Sequence, residues 1–148
     1  MARVQLALNV ANLDEAISFY SQLFATEPAK VHDGYANFAI ADPPLKLVLF
    51  EAPAAENRLN HLGVEVADPA EVREHQARLG EAGIEAADGS GTCCFAELDK
   101  VWIDAPDGAW EFYSVLADSD TFGGTTQEDG SVCCATPAAA TGAVPACC

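Results

Sequence analysis

Basic residues are scarce in this 148-residue chain: 7 Lys and Arg stand against 23 Asp and Glu, for a formal net charge of -16. Nucleic acid and anionic membrane surfaces are recognised through clustered cations, so this balance excludes both as partners. No apolar run reaches the roughly 20 residues of a membrane span, and the chain opens on Arg3 and an alternating pattern without the apolar core of a signal peptide. A cytoplasmic location is expected. Residues 118–148 hold no Lys or Arg and few large apolar side chains, while Gly, Ala, Thr and Pro abound. Such a segment buries too little surface to offset the entropy of ordering it, so a largely disordered tail is expected there, with room for a first stretch packed on the domain.

Isolated cysteines are also missing. All 6 cysteines form adjacent pairs, Cys93-Cys94, Cys133-Cys134 and Cys147-Cys148. Neighbouring cysteines are poor structural disulfide partners, because the ring they close is strained and removes little chain entropy. As thiolates, two adjacent sulfurs can converge on one soft electrophile, which suits cadmium or a trivalent arsenical. A reducing compartment keeps such thiols available.

Half of the residues are hydrophobic, and their spacing describes a folded domain. Val4, Leu6, Leu8 and Val10 alternate with Gln5, Ala7 and Asn9, which predicts a strand. Asn12 with Glu15 caps a helix whose apolar face carries Ala16, Ile17, Tyr20, Leu23 and Phe24 up to about Ala25. Strands follow at Lys30 to His32, Tyr35 to Ala41 and Leu45 to Glu51. The pattern then restarts. A gapless shift of 56 positions aligns Gln5 with His61, Leu6 with Leu62, Leu8 with Val64 and Val10 with Val66, and Asp68 with Glu71 repeats the helix cap. The second helix ends at Gly83, and strands are expected near Ile84 to Ala86, Thr92 to Leu98, Val101 to Ile103 and Trp110 to Leu116. The chain reads as an α+β protein of two βαβββ modules, residues 1–55 and 56–117, followed by the cysteine-containing tail at 118–148.

Parity then selects candidate metal ligands. If Leu6 and Val64 face the helices, Gln5 and His61 occupy equivalent points on the opposite surface, and Glu111 in the last strand can share it. An amide, an imidazole and a carboxylate on three strands make a variant of the facial triad that holds Fe(II). Taken singly, each has an ordinary explanation as a solvated or satisfied polar residue. Agreement of repeat position and parity raises the three together. His32, beside a turn, and His75, on a helix face packed against the sheet, are weaker candidates. Module one offers no matching carboxylate, since the counterpart of Glu111 falls on Leu47 or Leu49.

The paired modules, the repeat of Gln5 with His61, and the closing run Asp104-Ala105-Pro106-Asp107-Gly108-Ala109-Trp110-Glu111-Phe112-Tyr113 resemble the vicinal oxygen chelate superfamily of glyoxalases, extradiol dioxygenases and bleomycin-binding proteins. Arg3 to Leu8 and the run Gly89-Ser90-Gly91-Thr92-Cys93-Cys94 through Asp99-Lys100-Val101-Trp102 are similar to its heavy-metal-resistance branch of carbon-arsenic lyases and cadmium-induced proteins. The resemblance implies a curved mixed sheet around a metal site. It also implies Fe(II)-dependent, oxygen-consuming cleavage of trivalent organoarsenicals to arsenite. Gln5, His61 and Glu111 match the metal ligands and Cys93 with Cys94 the substrate-binding pair, with no catalytic residue assigned beyond the metal ligands.

The expected partners are a trivalent organoarsenical and molecular oxygen, with a homodimer as the candidate assembly. Gly89 and Gly91 are hinge candidates for a loop carrying Cys93 and Cys94, and Lys100, Trp102 and Tyr113 border the site without an assigned role. Cys133, Cys134, Cys147 and Cys148 are collectors of arsenic or dispensable. A binding protein that sequesters cadmium or arsenite is the rival reading, and a glyoxalase-type isomerase lacks its fourth ligand.

Overall fold

A computed structural model describes residues 2–123, 125–126 and 132–133. The first module runs β1 (Arg3–Val10), α1 (Leu13–Phe24), β2 (Lys30–His32), β3 (Tyr35–Ile40) and β4 (Leu45–Glu51). The second runs β5 (Leu59–Glu65), α2 (Pro69–Glu81), the short β6 (Ala87–Asp88) and β7 (Gly91–Cys93), then the long β8 (Ala96–Ala105) and β9 (Gly108–Asp118). β10 (Thr125–Thr126) and β11 (Val132–Cys133) pair with each other apart from the main sheet.

The two helices begin where their caps predict. Asn12 Oδ1 accepts the Glu15 N–H at 2.9 Å, and Asp68 Oδ1 accepts the Glu71 N–H at 3.1 Å. α1 ends with Ala25 in the left-handed region at φ 49°, and Gly83 takes φ 76° just beyond α2. No helix among the described residues is long and apolar enough to cross a membrane.

One mixed sheet joins the modules in the order β2-β3-β4-β1-β5-β9-β8-β6, with β7 also on β8. β1 and β5 pair antiparallel at its centre, and each has its own module's last strand beside it in parallel, β4 against β1 and β9 against β5. Both helices cover one face. Beneath α1 lie Ala36, Phe38, Leu47 and Leu49, and beneath α2 lie Val66, Val101 and Ile103. Each large aliphatic side chain fully buried here contributes about 1.5–3 kcal/mol. Removing it from this face therefore costs more than any surface change. The other face carries Gln5, Asn37, His61, Lys100 and Glu111, all buried. That inversion, a polar interior opposite an apolar one, is what the period of two in β1 and β5 demands.

Two expectations are corrected. The strand expected at Thr92 to Leu98 is broken, because Cys94 and Phe95 take φ 55° and 60° and form the two-residue turn of a β7-β8 hairpin in which Cys93 pairs with Ala96. Such a turn usually announces itself through Asn or Gly, and here it does not. The strand expected at Ile84 to Ala86 instead lies at Ala87–Asp88. The first stretch of the tail, residues 118–123, packs on the domain: Ser119 N–H donates to the Phe95 carbonyl at 2.9 Å, and the Phe122 ring packs edge-on against Tyr35, Phe50 and Phe95. Cys134, Cys147 and Cys148 lie outside the described residues.

Candidate metal and thiol site

β1, β5 and β9 bring Gln5, His61 and Glu111 together on the helix-free face. Gln5 Nε2 lies 2.8 Å from His61 Nε2 and 2.7 Å from Glu111 Oε1, and the latter two atoms are 3.1 Å apart. All three donors come from one chain. Neighbouring donors around an octahedral ion with bonds of about 2.1 Å are separated by about 3.0 Å, so the triangle has the dimensions of one face of that octahedron. No group of three His, Cys, Asp or Glu converges among the described residues, because the third corner here is an amide.

The surroundings prepare each corner for a cation. Glu111 is buried, which alone raises its pKa; the Lys100 ammonium beside it outweighs that and holds it down at about 2. Lys100 Nζ donates to Glu111 Oε2 at 3.2 Å, leaving Oε1 for the triangle. The tautomer of His61 follows from a chain of bonds anchored on a carbonyl, which can only accept. Asn9 Nδ2 donates to the Asn57 carbonyl at 3.0 Å, so Asn9 Oδ1 receives Asn60 Nδ2 at 2.9 Å. Asn60 Oδ1 then receives His61 Nδ1–H at 3.0 Å, and the Nε2 lone pair faces the triangle. Adjacent strand residues normally point to opposite faces. The register shift between Ala7, which pairs with His61, and Leu8, which pairs with Leu59, leaves Asn60 as an extra residue and lets it reach the ring of its neighbour.

Gly63, between His61 and Glu65 on the same face, leaves room for the site. A Cβ there would sit 2.9 Å from Glu111 Cγ and 3.4 Å from Gln5 Nε2. Gly63→Ala is therefore expected to displace the carboxylate, weaken Mn(II) binding about tenfold and cost about 1–3 kcal/mol of stability through overpacking. Metal titration and urea unfolding measure the two effects, and undiminished binding would mean that the carboxylate gives way without leaving its place. Register also corrects the module-one counterpart of Glu111. Ala7, the equivalent of Gly63, pairs with Val48, whereas Gly63 pairs with Glu111. Leu47 and Leu49 face α1 instead. A valine thus stands where a fourth protein ligand would come from.

The thiol pair opens onto the same cavity of about 310 Å³ as the triangle. Cys93 Sγ and Cys94 Sγ lie 3.2 Å apart, and Cys93 is disulfide-bonded, though not to Cys94. Burial pushes the Cys94 thiol up to about 12, with Lys100 lowering and Glu111 raising it. Cys94 is therefore a thiol at neutral pH, not the thiolate that the sequence suggested. The turn that presents it holds two residues in the left-handed region at a cost of about 1–3 kcal/mol each. Phe95 secures that turn by stacking on His32 with ring centroids 3.7 Å apart. At Gly89, one of the hinge candidates, a Cβ would lie 2.5 Å from Trp102 Cδ1, so the glycine allows the indole to approach the backbone closely. His75 stacks on Phe112 at 4.2 Å, away from the site.

Tyr35, Val48, Phe50, Leu98 and Val115 form the apolar part of the cavity wall. Four of the 7 basic residues, Arg3, Lys30, Lys46 and Lys100, line the cavity as well. Sequence reasoning missed this concentration of the scarce charge, whose only signal was that Arg3 and Lys100 share strand parity with Gln5 and Glu111's neighbours. Burial, followed by the Glu65 and Glu111 charges, raises the Tyr113 pKa well above its ordinary value, so its hydroxyl keeps its proton. Glu65 moves the other way: burial raises it, but Lys46 and Arg3 prevail and lower it.

Comparison with known proteins places this arrangement in context. The model of the Glyoxalase/Bleomycin resistance protein/Dioxygenase superfamily matches residues 3–112. The chain is 57% identical over 142 residues to the cadmium-induced protein CadI of Mycobacterium tuberculosis, covering 90% of this chain and 93% of that protein. It is 53% identical over 137 residues to the trivalent organoarsenical cleaving enzyme of Thermomonospora curvata, covering 90% of this chain and 89% of the enzyme. Among solved structures, the Mn(II)-bound glyoxalase from Novosphingobium aromaticivorans shares the fold with a TM-score of 0.55 at 20% identity, over 79% of this chain and 39% of that one.

Proposed function

The chain belongs to the glyoxalase/bleomycin resistance protein/dioxygenase superfamily, and from that membership we propose that it is a cytoplasmic Fe(II)-dependent dioxygenase that cleaves the carbon-arsenic bond of trivalent organoarsenicals, methylarsenite and aromatic arsenicals among them, and releases arsenite. One observation carries the reading: two sulfurs and a triangle of nitrogen and oxygen donors open onto one cavity. Soft ligands for arsenic and hard ligands for iron are thereby kept on separate residues. The name of the relative from Thermomonospora curvata supports the substrate class.

Methylarsenite carries one methyl and two exchangeable hydroxyls. Once a thiol reductant has opened the Cys93 disulfide, each of Cys93 and Cys94 replaces one hydroxyl on arsenic with its sulfur, and the thiol proton leaves with that hydroxyl as water. No ionised thiol is required at equilibrium, which suits a Cys94 held in its protonated form. Arsenic then keeps only its organic group unexchanged, and the apolar wall of Tyr35, Val48 and Phe50 accommodates it while excluding water. Gln5, His61 and Glu111 would hold Fe(II), which supplies redox activation of oxygen. Lys100 keeps Glu111 ionised and oriented throughout. Written for methylarsenite without a reductant, the balance is CH3As(OH)2 plus O2 giving As(OH)3 plus CH2O.

The name of the 57% identical relative favours a second reading, cadmium or arsenite sequestration through the same thiols. Anaerobic loading with Fe(II), then methylarsenite, then air, tests both. The enzyme releases arsenite with uptake of oxygen, and a sequestering protein does neither. Loss of the organic group without oxygen uptake would overturn the dioxygenase part alone.

A further inference from the structure

Tyr113 OH lies 2.6 Å from Gln5 Oε1 and 3.0 Å from Glu65 Oε2. It has one proton for two acceptors. Glu65 cannot supply another. Its carboxylate is ionised beside Arg3, whose Nη2 is 3.0 Å from Oε1, and Lys46, whose Nζ is 3.2 Å from Oε2. In the structure the Gln5 amide turns its NH2 inward, where its two protons serve His61 Nε2 and Glu111 Oε1. That arrangement satisfies the triangle without a cation and leaves the Tyr113 proton contested. Turning the amide by half a revolution exchanges the deficits. Nε2–H then donates to the Tyr113 oxygen, the Tyr113 proton goes to Glu65, and Oε1 faces His61 and Glu111 as a metal donor. Three acceptors meeting at one point repel each other unless a cation lies between them.

From this proton count we propose that Tyr113, acting through Glu65, is a positioning residue that favours the oxygen-inward orientation of the Gln5 amide and so couples that side chain's turn to metal binding. Arg3 and Lys46 hold the Glu65 carboxylate in place, and Lys46 also lies over the Tyr113 ring at 5.0 Å. The chain Arg3/Lys46, Glu65, Tyr113, Gln5 thus does for the amide what Asn57, Asn9 and Asn60 do for His61. The assignment rests on the metal half of the proposed function and not on its arsenic half.

The test is Mn(II) titration of the full-length metal-free protein, with no arsenical present. Tyr113→Phe is expected to weaken Mn(II) binding about 10–100-fold, the usual effect of removing a group that orients a metal ligand. Glu65→Gln is expected to act in the same direction, because its NH2 can donate to the Tyr113 oxygen and send the phenol proton back to Gln5. The double variant should be no more than about twofold weaker than the weaker single variant, as both act through one chain of hydrogen bonds. Thermal unfolding of the metal-free proteins separates this from general loosening, and in Tyr113→Phe any cleavage activity should return at saturating Fe(II). Binding by Tyr113→Phe within threefold of the parent, or multiplying effects in the double variant, overturns the positioning role. A parent that binds no Mn(II) overturns the metal reading and this inference with it. Mn(II) binding without arsenic chemistry leaves the inference standing and removes only the arsenic half.

Discussion

A Cys93→Ser/Cys94→Ser protein is expected to lose carbon-arsenic cleavage by on the order of 1,000-fold or more, because the reacting atom is no longer held beside the metal-ligand triangle. Fe(II) binding should stay within about threefold of the parent, since neither sulfur belongs to the triangle and a Ser changes little volume. Serine can occupy the left-handed turn, but its oxygen does not compete with water for arsenic as sulfur does. Single replacements should fall nearly as far, for one sulfur leaves a second hydroxyl on arsenic and no fixed orientation. Anaerobic Fe(II) titration and arsenite release measure the two halves separately. Cleavage at the parental rate would remove the capture role outright. Reductant is part of the same expectation: Cys93 is disulfide-bonded in the structure, so protein handled without a thiol reductant should be inactive and recover when one is added.

Glu111→Leu is expected to abolish metal binding and to cost about 3–5 kcal/mol of stability, because it breaks the buried ion pair between Glu111 and the Lys100 ammonium. Lys100→Met in the same chain should return most of that stability and none of the metal affinity. A double variant no more stable than Glu111→Leu would show that the ion pair is not the source of the loss. The parent's acid response follows from the same pair. Glu111 titrates near 2 in the folded chain against an ordinary 4.5, so its contribution is fully present above about pH 4.5 and disappears as pH falls toward 2. Urea unfolding of the metal-free parent should therefore weaken across that window. In the Glu111→Leu/Lys100→Met variant this component of the slope should be absent.

The helices, the repeat and the face of each central strand were legible in the sequence because they depend on near neighbours. Asn12 and Asp68 cap within three residues, and Leu6 against Gln5 is decided by the alternation of a strand. The 56-residue shift makes His61 the equivalent of Gln5 in the second module, and parity adds Glu111. Local signals failed where the fold overrode them. Cys94 and Phe95 turn the chain without a turn residue, their cost offset by Phe95 packing on His32, which is remote in sequence. Phe122 looked like part of a featureless tail, yet Tyr35, Phe50 and Phe95 supply an aromatic seat that no window around it could reveal.

What the amino-acid sequence determined by itself was which residues share a face: Gln5, His61 and Glu111 on the side away from the helices, with one sulfur pair, Cys93-Cys94, inside the folded domain. Only the tertiary structure decided how near they come and in what state. Pairing of β5 with β1 on one side and β9 on the other drew the three donors into a triangle 2.7–3.1 Å on a side. Register put Val48 in place of a fourth ligand, and Gly63 kept the space open. The same folding gathered most of a very acidic chain's few cations around one cavity, where Lys100 holds Glu111 ionised and Arg3 with Lys46 anchor the chain of bonds through Glu65 and Tyr113. The division has a physical reason. Side-chain direction along a strand repeats every two residues and is written locally, whereas distance, burial and the destination of each proton depend on strands that the sheet alone brings together.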